Sequence, residues 1–324
     1  MGNPAKHRLK QKDLVMNVFG FFSEEYERSN AGSIWEITLP IEKVINYLQQ
    51  KCDVSYKSNL WVWIQLKRYE EELGVELFKK VKANKQDNQF SIAINYPFIN
   101  FFQKQHLYVN EKIKVANGVF DKIQDYISKN NNNEPIKIFL GAGTLCFHLS
   151  TIFAERSLYN KTKFLIHTNN LGALSQLMAP GINHDNIRVS IPEGKVDSVT
   201  HTIIGENTES YLSTKFDFII QGTSCIHNGD LFIESSEENI RKKAILKNTL
   251  GKKILVLTKH EFSDKPMEGS EAYGNLKDYD FVIVPKKSTD SPIKKRYESI
   301  FEECKKTLLP EIINWNYEIF KIKN

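Results

Sequence analysis

The sequence predicts an α/β protein in three parts. They are an N-terminal winged helix-turn-helix domain over residues 1–105, a connecting helix and linker over 106–130, and a doubly wound, mostly parallel α/β domain over 131–324. Three observations lead there. The chain has 324 residues, more than a single hydrophobic core usually serves. The polar tract 129–135, four asparagines closed by Glu134 and Pro135, separates a mostly helical part from one where strand and helix signals alternate. Several strand-like runs beyond the tract are apolar throughout, as strands buried on both faces must be.

In the first part, Leu14, Val15, Val18, Phe21, Phe22 and Tyr26 share one helical face, and residues 30–32 close that helix. Pro40 opens a second helix with Ile41, Val44, Ile45 and Leu48 inward. A third is expected over 55–73, stopped by Gly74. The β-prone runs 75–81 and 90–94 flank a polar hairpin tip at 82–89. Three helices followed by a hairpin is the winged-helix arrangement. The helix expected over 108–128 carries Val109, Ile113, Ala116, Phe120, Ile123 and Ile127 as a narrow seam, weakened by Gly118. Such a seam serves dimerisation or packing on its own domain. Strands are then expected at 136–140, 164–167, 187–191, 216–220, 253–257, 279–284 and 317–322, with helices between many of them, including 144–158 and 236–250.

Composition narrows the function classes. The chain carries 44 Lys and Arg against 39 Asp and Glu, a net charge of +5 that permits nucleic-acid binding without demanding it. Four cysteines without a CxxC pair exclude a disulfide scaffold and a zinc ribbon and fit a reducing cytoplasm. No apolar run reaches the roughly 18 residues a membrane span needs. The start MGNPAKHRLKQK lacks the apolar stretch of a secretory signal, and Lys6 departs from the myristoylation pattern.

In doubly wound sheets ligands bind beyond the carboxyl ends of the strands. Three such loops are small and polar: Gly141, Ala142, Gly143 and Thr144 after the first strand, Thr168, Asn169 and Asn170 after the second, and Gly222, Thr223 and Ser224 before Cys225. Together they predict one shared pocket. The first loop lacks the third glycine of a dinucleotide fingerprint and the Gly-Lys-Ser/Thr of a P-loop.

The order of these parts carries a resemblance. GAGT, HTNN, IIGENTESYLSTKFDFIIQGTS, EENIRKKAIL and GKKILVLTKHEF, in that succession, resemble the sensor domain of DeoR-type transcriptional regulators, which is similar to ribose-5-phosphate isomerase, glucosamine-6-phosphate deaminase and the coenzyme A transferases. The stretch LPIEKVINYLQQKCDVSYKSNLWVWIQLKRYEEELG looks like that family's winged helix. The resemblance implies a phosphorylated sugar or related metabolite in the pocket and a response in DNA binding. It places Gly143 and Thr144 at a phosphate-binding turn and matches Thr168, Asn169 and Gly222 to family positions. Glu238 and Lys242 match a Glu and a Lys four apart on the following helix; Glu238 also fits a capping box, and the pair also reads as an ordinary i,i+4 pair. Three departures stand against a sugar phosphate. Gly141 and Ser224 occupy positions where the family carries Asp, and Glu261 stands where it carries a phosphate-binding Lys.

With those Asp residues gone, Glu238 and His227 are the remaining acid/base candidates, and the expectation is no enzymatic turnover. No metal or cofactor is expected, since Cys146 and His148 lie two apart on a helix and point about 200° apart. For DNA, the candidates are Ser55, Tyr56, Lys57, Ser58 and Asn59 at the third helix, and Lys79, Lys80, Lys82 and Lys85 in the wing. Residues 51–95 hold eight Lys and Arg against six Asp and Glu, a thin surplus for phosphate neutralisation. The expected function is a cytoplasmic, ligand-responsive regulator that binds operator DNA as a homodimer or higher homo-oligomer. The alternatives are a metabolite-binding effector or enzyme that uses the winged helix for assembly, and a non-catalytic interaction protein with a degenerate pocket.

Overall fold

The structure, a computed structural model, describes residues 8–29, 31, 34–56, 58–83, 89–95, 101–130, 134–159, 162–179, 185–198, 200–205, 214–267, 269–286 and 297–323. The chain forms two compact units, Met1–Val109 and Asn110–Asn324.

In the first unit, helices Gln11–Arg28, Ile41–Cys52 and Asn59–Leu73 pack with three strands, β1 (Thr38–Pro40), β2 (Phe78–Ala83) and β3 (Phe90–Ile94). The antiparallel sheet has the order β1-β3-β2. Val18, Phe22, Val44, Leu48, Val62, Leu66, Phe78 and Ile92 are all buried in one core. Two details differ from expectation. The third helix opens at Asn59 rather than 55, because the Ser58 hydroxyl accepts the Trp61 N–H at 3.3 Å and caps it. Tyr56, expected to face DNA, is turned into the core, where its hydroxyl accepts the Leu9 N–H at 3.3 Å and its ring stacks on Trp61. Glu70 is also structural. Its Oε1 accepts the N–H groups of Leu77 at 3.0 Å and Phe78 at 2.7 Å, fastening the third helix to the hairpin.

The second unit is built on an eight-stranded sheet. Its strands are β4 (Ile136–Leu140), β5 (Phe164–Thr168), β6 (Ile187–Ser190), β9 (Phe218–Gln221), β12 (Lys252–Val256), β14 (Phe281–Pro285), β15 (Leu308–Ile313) and β16 (Tyr317–Ile322). Their order is β15-β16-β14-β12-β9-β4-β5-β6. The run from β14 to β6 is parallel, whereas β16 and β15 are antiparallel. Alternation sends Ile136, Ile138, Leu140, Phe218, Ile220, Ile254 and Ile283 to one face, beneath the helices Val109–Asn130 and Thr144–Ser157. Leu255, Val282, Val284 and Phe320 point to the other face, with the helices Ser236–Asn248 and Glu298–Lys305. The mixed α/β sheet thus has helices on both faces.

The seam of the helix Val109–Asn130 meets this sheet: Ala116, Phe120 and Ile123 are buried with the strands, while Ile113 stays exposed. Gly118 lies against Tyr317, where an added Cβ would stand 2.8 Å from the ring. The helix-weakening glycine is therefore there for close approach. Smaller ribbons complete the unit: β7 (Lys195–Asp197) with β8 (Thr202–Ile204), and β10 (Cys225–His227), β11 (Asp230–Phe232) and β13 (Gly274–Asn275) together.

Candidate functional site

The strand order locates the site. From β4 the chain moves outward through β5 to β6, then returns to the other side of β4 with β9 and continues outward to β12 and β14. The direction of winding reverses between β4 and β9, the position at which doubly wound sheets place their ligand crevice. The loops leaving these two strands are the loop at Gly141–Thr144 and the loop at Gly222–Ser224.

Both loops approach closely because they are small. The Gly141 N–H donates to the Ile220 carbonyl at 2.9 Å, and a Cβ on Gly141 would stand 3.1 Å from that oxygen. Ala142 is buried, whereas Gly143 is exposed and precedes the helix Thr144–Ser157 without offering a side-chain cap. On the β9 side the Gly222 carbonyl accepts from the Lys242 ammonium at 2.8 Å and the Tyr273 hydroxyl at 3.1 Å. Lys242 is also 3.6 Å from Glu238, and both are buried. The Ser235 hydroxyl accepts the Glu238 N–H at 3.3 Å, so the helix start is capped as its sequence suggests, while the Glu238 carboxylate faces Lys242. Burial would lower the lysine, but Tyr273, Glu238 and Cys146 outweigh it and hold the ammonium above its ordinary value. Cys146 completes the cluster; burial pushes its thiol up to about 12, which removes it as a nucleophile. Behind them the Tyr279 hydroxyl donates to the Gln221 Oε1 at 2.8 Å.

The β5 loop borders the same opening. The Thr168 hydroxyl donates to the Leu140 carbonyl at 2.7 Å and accepts the Asn170 N–H at 3.1 Å. Asn170 caps the helix Leu171–Leu177 through Ala173, and its Nδ2 donates to the Gly143 carbonyl at 2.9 Å. Asn169 is only 3% exposed, yet its Oδ1 has no hydrogen-bond partner among the described residues.

Of the residues predicted for the pocket, Gly141, Gly143, Thr168, Asn170, Gly222, Glu238 and Lys242 thus converge. Two are turned elsewhere. The Thr223 hydroxyl donates to the Phe232 carbonyl at 2.7 Å, and that of Ser224 donates to Glu234, so both secure the β10–β11 hairpin. Glu261 is tied into its own turn, accepting the Thr258 N–H and hydroxyl, each at 3.0 Å; burial still pushes its carboxyl up. Lys259 pairs with Glu318 at 3.5 Å and Glu298 at 3.9 Å. Gln221, Tyr273, Tyr279 and Cys146 were not expected among the binding residues. Among the described residues, no group of three His, Cys, Asp or Glu could hold a metal ion.

In the first unit, Lys79 and Lys80 on β2 are exposed, and Ser55 and Asn59 are partly buried. Lys57, Lys85 and the side chain of Lys82 lie outside the described residues.

No family model and no curated protein matches this chain. Among solved structures it is similar to ribose 5-phosphate isomerase A from Methanocaldococcus jannaschii, with 11% identity over 66% of this chain and 79% of that one, and a TM-score of 0.31. It is also similar to ribose 5-phosphate isomerase from Plasmodium falciparum, with 14% identity over 65% and 78% of the two chains and a TM-score of 0.30. eIF2B delta from Chaetomium thermophilum has 10% identity over 86% and 92%, and a TM-score of 0.37. Likenesses this distant carry no argument, and the fold rests on the strand order above. Among the described residues, no helix is long and apolar enough to cross a membrane.

Proposed function

We propose that the chain is a ligand-responsive, DNA-binding regulator that works as a homodimer, with a small polar metabolite held at the strand-end crevice. The observation that carries this reading is the convergence of two small-residue loops and the buried Lys242–Glu238 pair where the winding of the sheet reverses. The resemblance to DeoR-type regulators points the same way. The reading is non-catalytic. Of the two acid/base candidates, Glu238 already faces an ammonium 3.6 Å away and His227 Nδ1 lies 3.3 Å from the Ser263 carbonyl, and a general base needs reach to a substrate proton.

The DNA-binding half is supported by the element order of the first unit, helix, strand, helix, helix and hairpin, with β1 pairing onto the hairpin strand β3. This succession supports the winged-helix reading, in which Lys79 and Lys80 would meet phosphates from the wing. Fluorescence anisotropy with fragments from upstream of the chain's own gene tests it at about 50 mM salt, where phosphate contacts are strongest. Salt-sensitive binding that changes with metabolite supports the proposal, and silence on every duplex overturns it.

A second reading has its own observation. Leu60 and Ile64, one turn apart on the third helix, are 43% and 40% exposed, an apolar face better suited to protein than to DNA. Retained co-purification of a partner protein without any DNA affinity would favour that reading.

A further inference from the structure

We infer that the strand-end crevice takes a neutral ligand bearing hydroxyl or amide groups rather than a phosphorylated one, an inference that rests on reading the crevice as a binding site. The first argument is charge. A phosphate needs cations that are still available to it, usually arginine or lysine. Three cations of the second unit are already held. Lys242 is bound to the Gly222 carbonyl and faces Glu238. Arg241 donates to the carbonyls of Ile203 and Gly205. Lys259 lies between Glu298 and Glu318. A dianion entering here would meet balanced pairs and would have to break one of them.

The second argument is hydrogen-bond polarity. Asn169 Oδ1 is a buried acceptor without a donor among the described residues, at the mouth of the strand beside β4. Buried polar groups are seldom left so, and one at a strand-end loop calls for a donor from outside. Phosphate oxygens at neutral pH supply none and would be repelled by the amide oxygen. A hydroxyl or N–H supplies one. Across the opening, the first N–H groups of the helix Thr144–Ser157 receive no side-chain cap from Gly143 and call for an acceptor. A helix N-terminus favours an anion, but its free N–H groups also donate to a neutral oxygen. A sugar, polyol or nucleoside carries both donors and acceptors, and so answers both sides of the crevice with one molecule.

Matched pairs test the inference on the full chain by calorimetry: D-ribose with D-ribose 5-phosphate, adenosine with AMP, and myo-inositol with its monophosphate. The expected result is that an unphosphorylated member binds at least tenfold tighter than its phosphorylated partner. Asn169→Leu should weaken that binding tenfold or more without lowering the unfolding temperature, because it removes an acceptor that no described residue satisfies. Asn169→Asp, which keeps an acceptor, should retain more of the binding than Asn169→Leu. Tenfold tighter binding of a phosphorylated partner overturns the ligand class and leaves the crevice standing as a binding site. Binding unchanged in Asn169→Leu overturns the part assigned to that amide. No heat from any of the six compounds overturns the crevice as a binding site, and the inference with it.

Discussion

Replacing Lys242 by Met separates the energetics of the crevice from its shape. The substitution keeps an unbranched chain of similar reach and removes the ammonium that lies 3.6 Å from Glu238 and donates to the Gly222 carbonyl. Unit charges 3.6 Å apart attract by about 4–5 kcal/mol at an effective dielectric constant of about 20. Removing one partner of a buried pair exposes the cost of desolvating the other, so Lys242→Met should destabilise the second unit by about 3–5 kcal/mol. The Gly222 carbonyl keeps the Tyr273 hydroxyl at 3.1 Å, so its loss adds little. The double variant Glu238→Leu, Lys242→Met removes both charges and should recover most of the loss, to within about 1.5 kcal/mol of the parent. The folded state holds the Lys242 ammonium above its ordinary value. Its contribution is therefore fully present below the unfolded value of about 10.4, is lost only as pH rises through the folded value, and leaves the penalty flat from about pH 6 to 9. Urea unfolding followed by far-ultraviolet circular dichroism measures four chains: the parent, Lys242→Met, Glu238→Leu and the double variant. A single-variant cost under about 1 kcal/mol, or a double variant as damaged as the two singles summed, refutes the argument.

Three further outcomes are expected. Gly118→Ala should destabilise by about 1–3 kcal/mol despite alanine's better helix propensity, because the added Cβ would lie 2.8 Å from the Tyr317 ring and 3.1 Å from Ile283; the urea midpoint reports it. Glu70→Ala should cost about 2–4 kcal/mol by leaving the Leu77 and Phe78 N–H groups without their acceptor, whereas Glu70→Gln, which keeps an oxygen there, should lose much less in the same assay. His167 is held below the ordinary histidine value by burial and by Lys137, so the unfolded chain binds its proton first as pH falls below about 6.5. The stability of the parent relative to His167→Gln should therefore fall between about pH 7 and 5, which paired urea titrations across that range would show.

The legible elements were those whose burial is symmetric. β4, β9, β12 and β14 are covered on both faces, so their apolar runs stand out without any knowledge of their neighbours. β15 was missed because it is an edge strand whose side chains after Leu308 are largely exposed and which includes Pro310; neither period nor composition marks it. The β10–β11 hairpin did carry a signal, Asn228-Gly229 at its two-residue turn, flanked by apolar positions. In the crevice, the loops that leave β4, β5 and β9 could be read because strand ends are fixed by the strands themselves. Tyr273 and Tyr279 could not, since they enter from more than 50 residues beyond Gly222 and Gln221 and only the folded sheet brings them there.

The packing of the helix Val109–Asn130 also bears on how the second unit is made. Asp121 Oδ2 accepts the hydroxyl of Tyr317, 196 residues further on, and Lys122 pairs with Glu311, 189 residues further on. The element that opens the unit therefore finds these partners on the strands that close it. During synthesis the apolar seam of that helix can meet β4 and its neighbours earlier, but Asp121 and Lys122 must wait until the β15–β16 hairpin has left the ribosome. At about 5–20 residues per second this interval lasts on the order of ten seconds or more. Contacts of such long sequence separation also slow folding from the denatured state. The vulnerable species of this protein is thus the nascent chain rather than the finished one, and conditions that slow elongation should raise its demand for chaperones before they affect the folded molecule.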